Sequence, residues 1–205
     1  TEYSGNIIDI VATEYDLNST LLRGSGRNYG ASVMVQKSSG KLTGWMSYTY
    51  TKARRTFNAD RMRGSYPASH ERPHELNMVA TYAPWRHLDF CATPVWASGT
   101  PFTAPVSGNI INGNIMAKYG RHNANRYADY MRLDLSANYK WTSPGGTEHG
   151  FNLSVCNATA HKNELFYRLR ISTKNEYAYR PMYFVLPVLP SVSYYCRLKK
   201  KKSLC

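Results

Sequence analysis

Apolar side chains recur at every second position over much of this chain. Residues 127–141 give the clearest case: Tyr127, Met131, Leu133, Leu135, Ala137, Tyr139 and Trp141 share one parity, with Asp129 off the pattern. The other parity holds Tyr130, Arg132, Asp134, Ser136, Asn138 and Lys140. Successive side chains of a strand point to opposite faces, so this spacing predicts a strand with one oily and one wet face. Likewise Leu42, Gly44, Met46, Tyr48 and Tyr50 alternate with Thr43, Trp45, Ser47, Thr49 and Thr51. His74, Leu76, Met78, Ala80 and Tyr82 oppose Glu75, Asn77, Val79 and Thr81, and Phe151, Leu153 and Val155 alternate with Asn152 and Ser154. The pattern is weaker over 28–37 and 88–98, and Val192, Tyr194, Cys196 and Leu198 close the series on one face. With a first strand inside residues 3–14, about eight strands are predicted.

A soluble sandwich alternates in the same way, so the connections carry the discrimination. Ser38-Ser39-Gly40-Lys41, Pro84 to His87 and Thr142 to Glu148 read as short links. Residues 54–73, 100–126 and a stretch near 172–181 read as long ones. Short links alternating with long ones are expected of an outer-membrane barrel, with brief periplasmic turns and extended outer loops. An even strand count puts both ends of the chain on the periplasmic side. The expected fold is therefore all-β: a segment of antiparallel transmembrane β-barrel over residues 1–198, with a basic tail at 199–205. In hydrocarbon, backbone groups must pair within the protein, which strands achieve only in a closed barrel. Tyr82, Trp85, Tyr139 and Trp141 near strand ends suit interfacial aromatic girdles.

Composition agrees with this picture. The chain has 205 residues, 17 of them Tyr and 14 Gly, and no run approaches the roughly 20 apolar residues of a membrane helix. No leader opens it, as in an exported protein after processing or in a fragment. Its formal charge is +13, which suits nucleic acid, lipopolysaccharide phosphates or a solvated basic surface. Scattered Lys and Arg favour the solvated basic surface, and no nucleic-acid partner is expected. Arg54, Arg55, Arg61 and Arg63 cluster in one long connection, and Lys118, Arg121, His122 and Arg126 in another. Either group suits an anion, although a solvated rim is the simpler reading.

Catalytic patterns are sparse. His70-Glu71-Arg72-Pro73-His74 spells the HExxH zinc motif, which needs a helix to bring both imidazoles to one face. Pro73 opposes a helix by about 3 kcal/mol, so no metal is expected. Asp129 and Asp134 lie at odd spacing and point apart. Gly24-Ser25-Gly26 reads as a loop. Cys91, Cys156, Cys196 and Cys205 form no CxxC pair, and parity turns Cys156 and Cys196 to opposite faces. No catalytic residue, cofactor or enzymatic activity is expected, and the ligand-contacting residues stay open.

Several segments resemble a known family. Tyr29-Gly30, Gln36-Lys37, Gly40, Leu42 and Gly44-Trp45-Met46-Ser47-Tyr48-Thr49 are similar to a hairpin of TonB-dependent outer-membrane receptors of the type carrying a carboxypeptidase-regulatory-like domain. Glu71-Arg72-Pro73-His74-Glu75-Leu76-Asn77, Ser98-Gly99-Thr100-Pro101-Phe102-Thr103, Tyr130-Met131-Arg132-Leu133-Asp134-Leu135-Ser136 and Leu189-Pro190-Ser191-Val192-Ser193-Tyr194 resemble later segments, in family order. Cys196 and Leu198 stand where the family carries aromatics. The resemblance implies the C-terminal portion of a barrel of about 22 strands around a plug. It implies import of a scarce nutrient (an iron chelate, cobalamin or a glycan), contact with outer-membrane lipid and lipopolysaccharide, and energy from the TonB complex through an N-terminal part not in this chain. The alternative is a self-contained small outer-membrane barrel, serving as a structural protein or adhesin.

Overall fold

A computed structural model describes residues 2–10, 21–57, 64–111, 114–171, 177–183 and 188–198. Its strands are β1 (Glu2–Ile10), β2 (Leu21–Lys37), β3 (Leu42–Phe57), β4 (Gly64–Pro67), β5 (His74–Trp85), β6 (Leu88–Ala97), β7 (Pro101–Phe102) and β8 (Pro105–Ile111). They continue as β9 (Asn114–Tyr119), β10 (Asn125–Arg126), β11 (Tyr130–Thr142), β12 (Glu148–Cys156), β13 (Glu164–Ile171), β14 (Tyr177–Tyr183) and β15 (Leu189–Arg197). The described residues contain no helix. The main sheet runs β1-β2-β3-β5-β6-β11-β12-β15, with β4 added beside β3. Every pairing is antiparallel. The eight strands of that path correspond in order to the eight read from the sequence. Among the described residues, at its margins β1 pairs with β2 alone, and β15 with β12 alone.

The register keeps the two parities apart across the whole wall. One row of partners runs Val35, Met46, Met78; another runs Gly44, Ala80, Ala92, Leu135, Val155, Pro190. Ser136 lies opposite Cys91 and Ser154, and Asn138 opposite Asp89 and Asn152. An apolar face and a polar face therefore extend unbroken over seven strands. Slipping any one strand by a residue would mix them, which is what fixes the pairing.

The short links lie at one end and the long connections at the other. Four sequence expectations need correction here. The stretch 54–73 is only partly a loop: β3 continues to Phe57, and β4 folds back on Arg54, Arg55 and Thr56. Residues 100–126 hold the β8–β9 hairpin and the β7–β10 pair, because local antiparallel pairing satisfies their backbone. The last long connection runs from Asn157 to Val188 and carries the β13–β14 hairpin, so the expected 172–181 covers only its middle. Gly24-Ser25-Gly26 belongs to β2, not to a loop; a Cβ on Gly24 would sit 2.6 Å from the Phe57 ring, so the ring needs that gap. The basic tail at 199–205, with Cys205, lies outside the described residues.

The small buried core is at the loop-bearing end. Ala53, Phe57, Tyr66, Ala68 and Ala97 are buried there. Ala53, Phe57 and Ala97 carry the parity of the polar face, so the connections fold over that face. No second layer covers the apolar one among the described residues.

Candidate functional site

Two regions of the molecule carry distinctive chemistry. The first is the apolar face. Leu153 is 55% exposed and Val192 70%, although both sit mid-strand. Val33, Val35, Met46, Met131, Leu135 and Phe151 are exposed with them. Two aromatic groups bound this field. Towards the long connections, His74 stacks with Tyr48 and Trp96 and packs at a tilt against Tyr50, and its Nδ1 shares a 2.7 Å hydrogen bond with the Tyr48 hydroxyl. Towards the short turns, Tyr139, Trp141, His149, Phe151 and Tyr194 stack in series, and His149 Nδ1 shares a 2.7 Å bond with the Tyr194 hydroxyl. From His74 to Tyr82 the chain advances eight residues, roughly 27 Å along the strand.

The opposite face is polar and internally bonded. Asn138 Nδ2 donates to Asp89 at 2.7 Å, and Asn152 Nδ2 donates to the Asn138 carbonyl. Asn77 donates to Glu75 at 2.9 Å, Ser32 bonds Thr49 at 3.0 Å, and Arg132 pairs with Asp134 at 2.9 Å. Such rows satisfy polar groups within the wall while leaving them wettable.

The second region is the loop-bearing end, where carboxylates anchor the long connections by accepting backbone N–H groups. Glu71, almost fully buried, accepts from Ala53 N at 2.7 Å and pairs through its other oxygen with the Arg126 guanidinium. Arg126 also donates to the backbone carbonyls of Glu71 and Gly99. Asp129 accepts from Gly99 N at 3.2 Å, Asp134 from Asn157 N at 2.9 Å, and Glu164 from Ala128 N at 2.9 Å. Asn163 grips Met131 at both N and O, each at 2.9 Å. Asn123 donates to Pro67 O and Ser69 Oγ, joining the first long connection to the second. Phe102, Tyr127 and Tyr167 stack at 4.4–5.7 Å and join the second to the third. At Gly99 a Cβ would lie 1.8 Å from Tyr127 O, so the close approach needs glycine. Burial, then the bond to and charge of Glu164, push the Tyr167 phenol up to about 12. Tyr127 is raised by burial first and by Glu164 second.

Residues singled out from the sequence divide among these jobs. His70 lies exposed in a turn, Glu71 is the buried clamp and His74 belongs to the upper aromatic group, so the HExxH letters are spread over turn and strand. Among the described residues no cluster of His, Cys, Asp or Glu suits a metal. Arg54 and Arg55, on adjacent positions of β3, point to opposite faces; Arg61 and Arg63 lie outside the described residues. Lys118 and Arg121 are exposed, whereas His122 packs edge-on against Tyr66 at 4.5 Å. Arg126 is committed to Glu71, which removes it from the anion-binding group. Cys91, Cys156 and Cys196 are free thiols. Sequence reading missed Glu71, Asn123, Asn163 and Glu164 as anchors; their partners lie 18–56 residues away, beyond any local spacing rule.

No protein-family model, curated protein or solved structure matches this chain. The functional reading therefore rests on the motifs and on this geometry.

Proposed function

We propose that this chain forms the C-terminal wall and outer loops of a TonB-dependent outer-membrane receptor, which imports a scarce nutrient. One observation carries the reading: an exposed apolar face that runs across seven strands, with an aromatic group towards the long connections on β3, β5 and β6 and another towards the short turns on β11, β12 and β15. In water such a patch would far exceed what monomers tolerate. Facing lipid, it is the expected surface. The sorted connections support the same orientation, with the anchored loops outside and the tight turns in the periplasm. The polar face would then line the watery interior, and the loop-bearing end would meet ligand. Energy would come from the TonB complex through other parts of the receptor.

The resemblance segments fall at structurally meaningful places, which adds support. The hairpin segment is β2, its turn and β3; the segment from Glu71 opens β5; Ser98 to Thr103 leads from β6 into β7; Tyr130 to Ser136 begins β11, and Leu189 to Tyr194 lies in β15.

A second reading, a self-contained eight-stranded barrel acting as adhesin or structural protein, is favoured by the even number of wall strands. Residues 1–205 expressed alone separate the two. A receptor portion leaves the margins of β1 and β15 unpaired, so it aggregates or fails to insert. A heat-modifiable, protease-resistant monomer in detergent would select the small barrel instead. Outer-membrane fractionation of the protein as its gene encodes it tests the shared premise; recovery in the soluble fraction would overturn both readings.

A further inference from the structure

The third long connection carries a hairpin whose two faces differ. In β13 and β14, Tyr167 pairs with Pro181, Phe166 with Met182 and Arg168 with Arg180. Neighbouring positions of a strand point to opposite faces. The Tyr167 face is the docked one, stacked on Phe102 and Tyr127. The other face turns away from that contact. There Phe166 and Met182 are 46% and 40% exposed, with Arg168 and Arg180 exposed beside them. Arg170 holds the same parity one row further on, opposite Ala178.

No acid balances these cations within the described residues of the hairpin. Glu164, the one carboxylate there, is spent on Ala128 N and on the Tyr167 hydroxyl. Like charges directly opposite one another across a strand pair are destabilising by themselves. A carboxylate between the two guanidinium groups reverses the sign, because each offers it a planar fork of donors. The Phe166–Met182 row lies immediately beside the charged one, so the matching ligand carries an apolar face next to its acid. A sugar ring bearing a carboxylate has both, since its polarised C–H groups suit the face of an aromatic ring. Cationic positions recur at every second residue of β13, roughly 7 Å apart. That spacing suits anions repeated along a chain better than one compact anion.

We propose that Arg168 and Arg180, with Phe166 and Met182 beside them, bind the carboxylate-bearing sugars of an acidic oligosaccharide. The site deepens the receptor reading proposed above and rests on it: the imported nutrient is a glycan, and an acidic one. Its cations are distinct from Arg126, which the Glu71 clamp occupies.

The test uses the protein as its gene encodes it, purified in nonionic detergent and first checked for heat-modifiable migration. Calorimetric titration at low salt then compares an oligogalacturonate with its fully methyl-esterified form and with an oligoglutamate peptide of equal charge. The oligogalacturonate should bind. The ester, which lacks the charge, and the peptide, which lacks the ring, should both bind more weakly. In the R168Q/R180Q variant the affinity for oligogalacturonate should fall by roughly tenfold or more, the scale of losing a charge-assisted hydrogen-bonded pair. In F166A it should fall by less, and a K118Q/R121Q control should keep it. No binding of the oligogalacturonate, equal binding of the ester or the peptide, or an unchanged affinity in R168Q/R180Q would overturn the site while leaving the barrel standing. Absence of a heat-modifiable barrel would overturn the receptor reading and the site with it.

Discussion

The wall and the loop-bearing end of this protein follow opposite packing rules. In the wall, Val33, Leu153 and Val192 are exposed, while Asn138, Asn152 and Asp89 bond one another on the other side. At the loop-bearing end, Phe57 is buried, and charged or amide groups such as Glu71, Asn123 and Asn163 are buried with it. The end behaves as an ordinary water-soluble protein does: apolar rings inside, buried polar groups bonded to backbone. The wall inverts that rule, and the proposed membrane setting accounts for this by putting hydrocarbon in place of water around its apolar face. The boundary between the two regimes runs through the row of Tyr48, Tyr50, His74 and Trp96.

The sharpest way to break this comparison is a charge in the middle of the outward face. Leu135→Arg should cost about 2–4 kcal/mol of folding stability in phospholipid bilayers, measured by urea unfolding of the full protein. Ser136→Arg, one residue on and facing inward, should be tolerated. In a water-facing sheet the exposed Leu135 would accept Arg within roughly 0.5 kcal/mol, and the asymmetry would vanish.

The next effect is confined to the other region. Glu71→Ala strands the Ala53 N–H and the Arg126 guanidinium, at a cost of about 1–3 kcal/mol. Limited proteolysis should then cut within the first two long connections while the wall strands stay protected. Unchanged cleavage would show that the clamp does not hold them.

Asn163→Ala should cost less, about 1 kcal/mol, since water can reach part of the site it leaves. It removes both bonds to Met131, so hydrogen exchange should quicken at the Met131 amide and leave that of Leu135 unaffected. Equal rates at Met131 in the variant and the parent would contradict the anchoring role.

Smallest is a pH effect. Tyr167 holds its proton more tightly folded than unfolded, so its contribution to docking is complete below pH 10 and is lost as pH rises through about 12. The difference in phenolate absorbance between parent and Tyr167→Phe should have its midpoint near pH 12. A midpoint near 10 would place Tyr167 in open water.

These contrasts also explain what could be read from the sequence. Alternation exposed the wall because a strand with two different faces writes its period directly into the residues, as at Leu133, Leu135 and Ala137. The tight links were legible through Gly40 and through Pro144-Gly145-Gly146. The loop-bearing end was not. Its order comes from single long-range bonds, such as Asn123 to Pro67 and Glu164 to Ala128, which leave no periodic trace. Arg126 shows the consequence: in sequence it joins a basic cluster, and in space it is neutralised by Glu71. Strand lengths were underread for a related reason, since the ends of β2 and β3 nearest the long connections carry Gly, Arg and Thr instead of alternating apolar residues.

Cysteine scanning along β11 tests the inverted wall most directly. With Cys91, Cys156, Cys196 and Cys205 replaced, single cysteines at positions 131–140 would carry spin labels in the membrane-assembled protein. Labels at 131, 133, 135, 137 and 139 should respond to oxygen dissolved in lipid, and those at 132, 134, 136, 138 and 140 to a water-soluble nickel chelate. Equal exposure of both sets to the aqueous reagent would contradict the account.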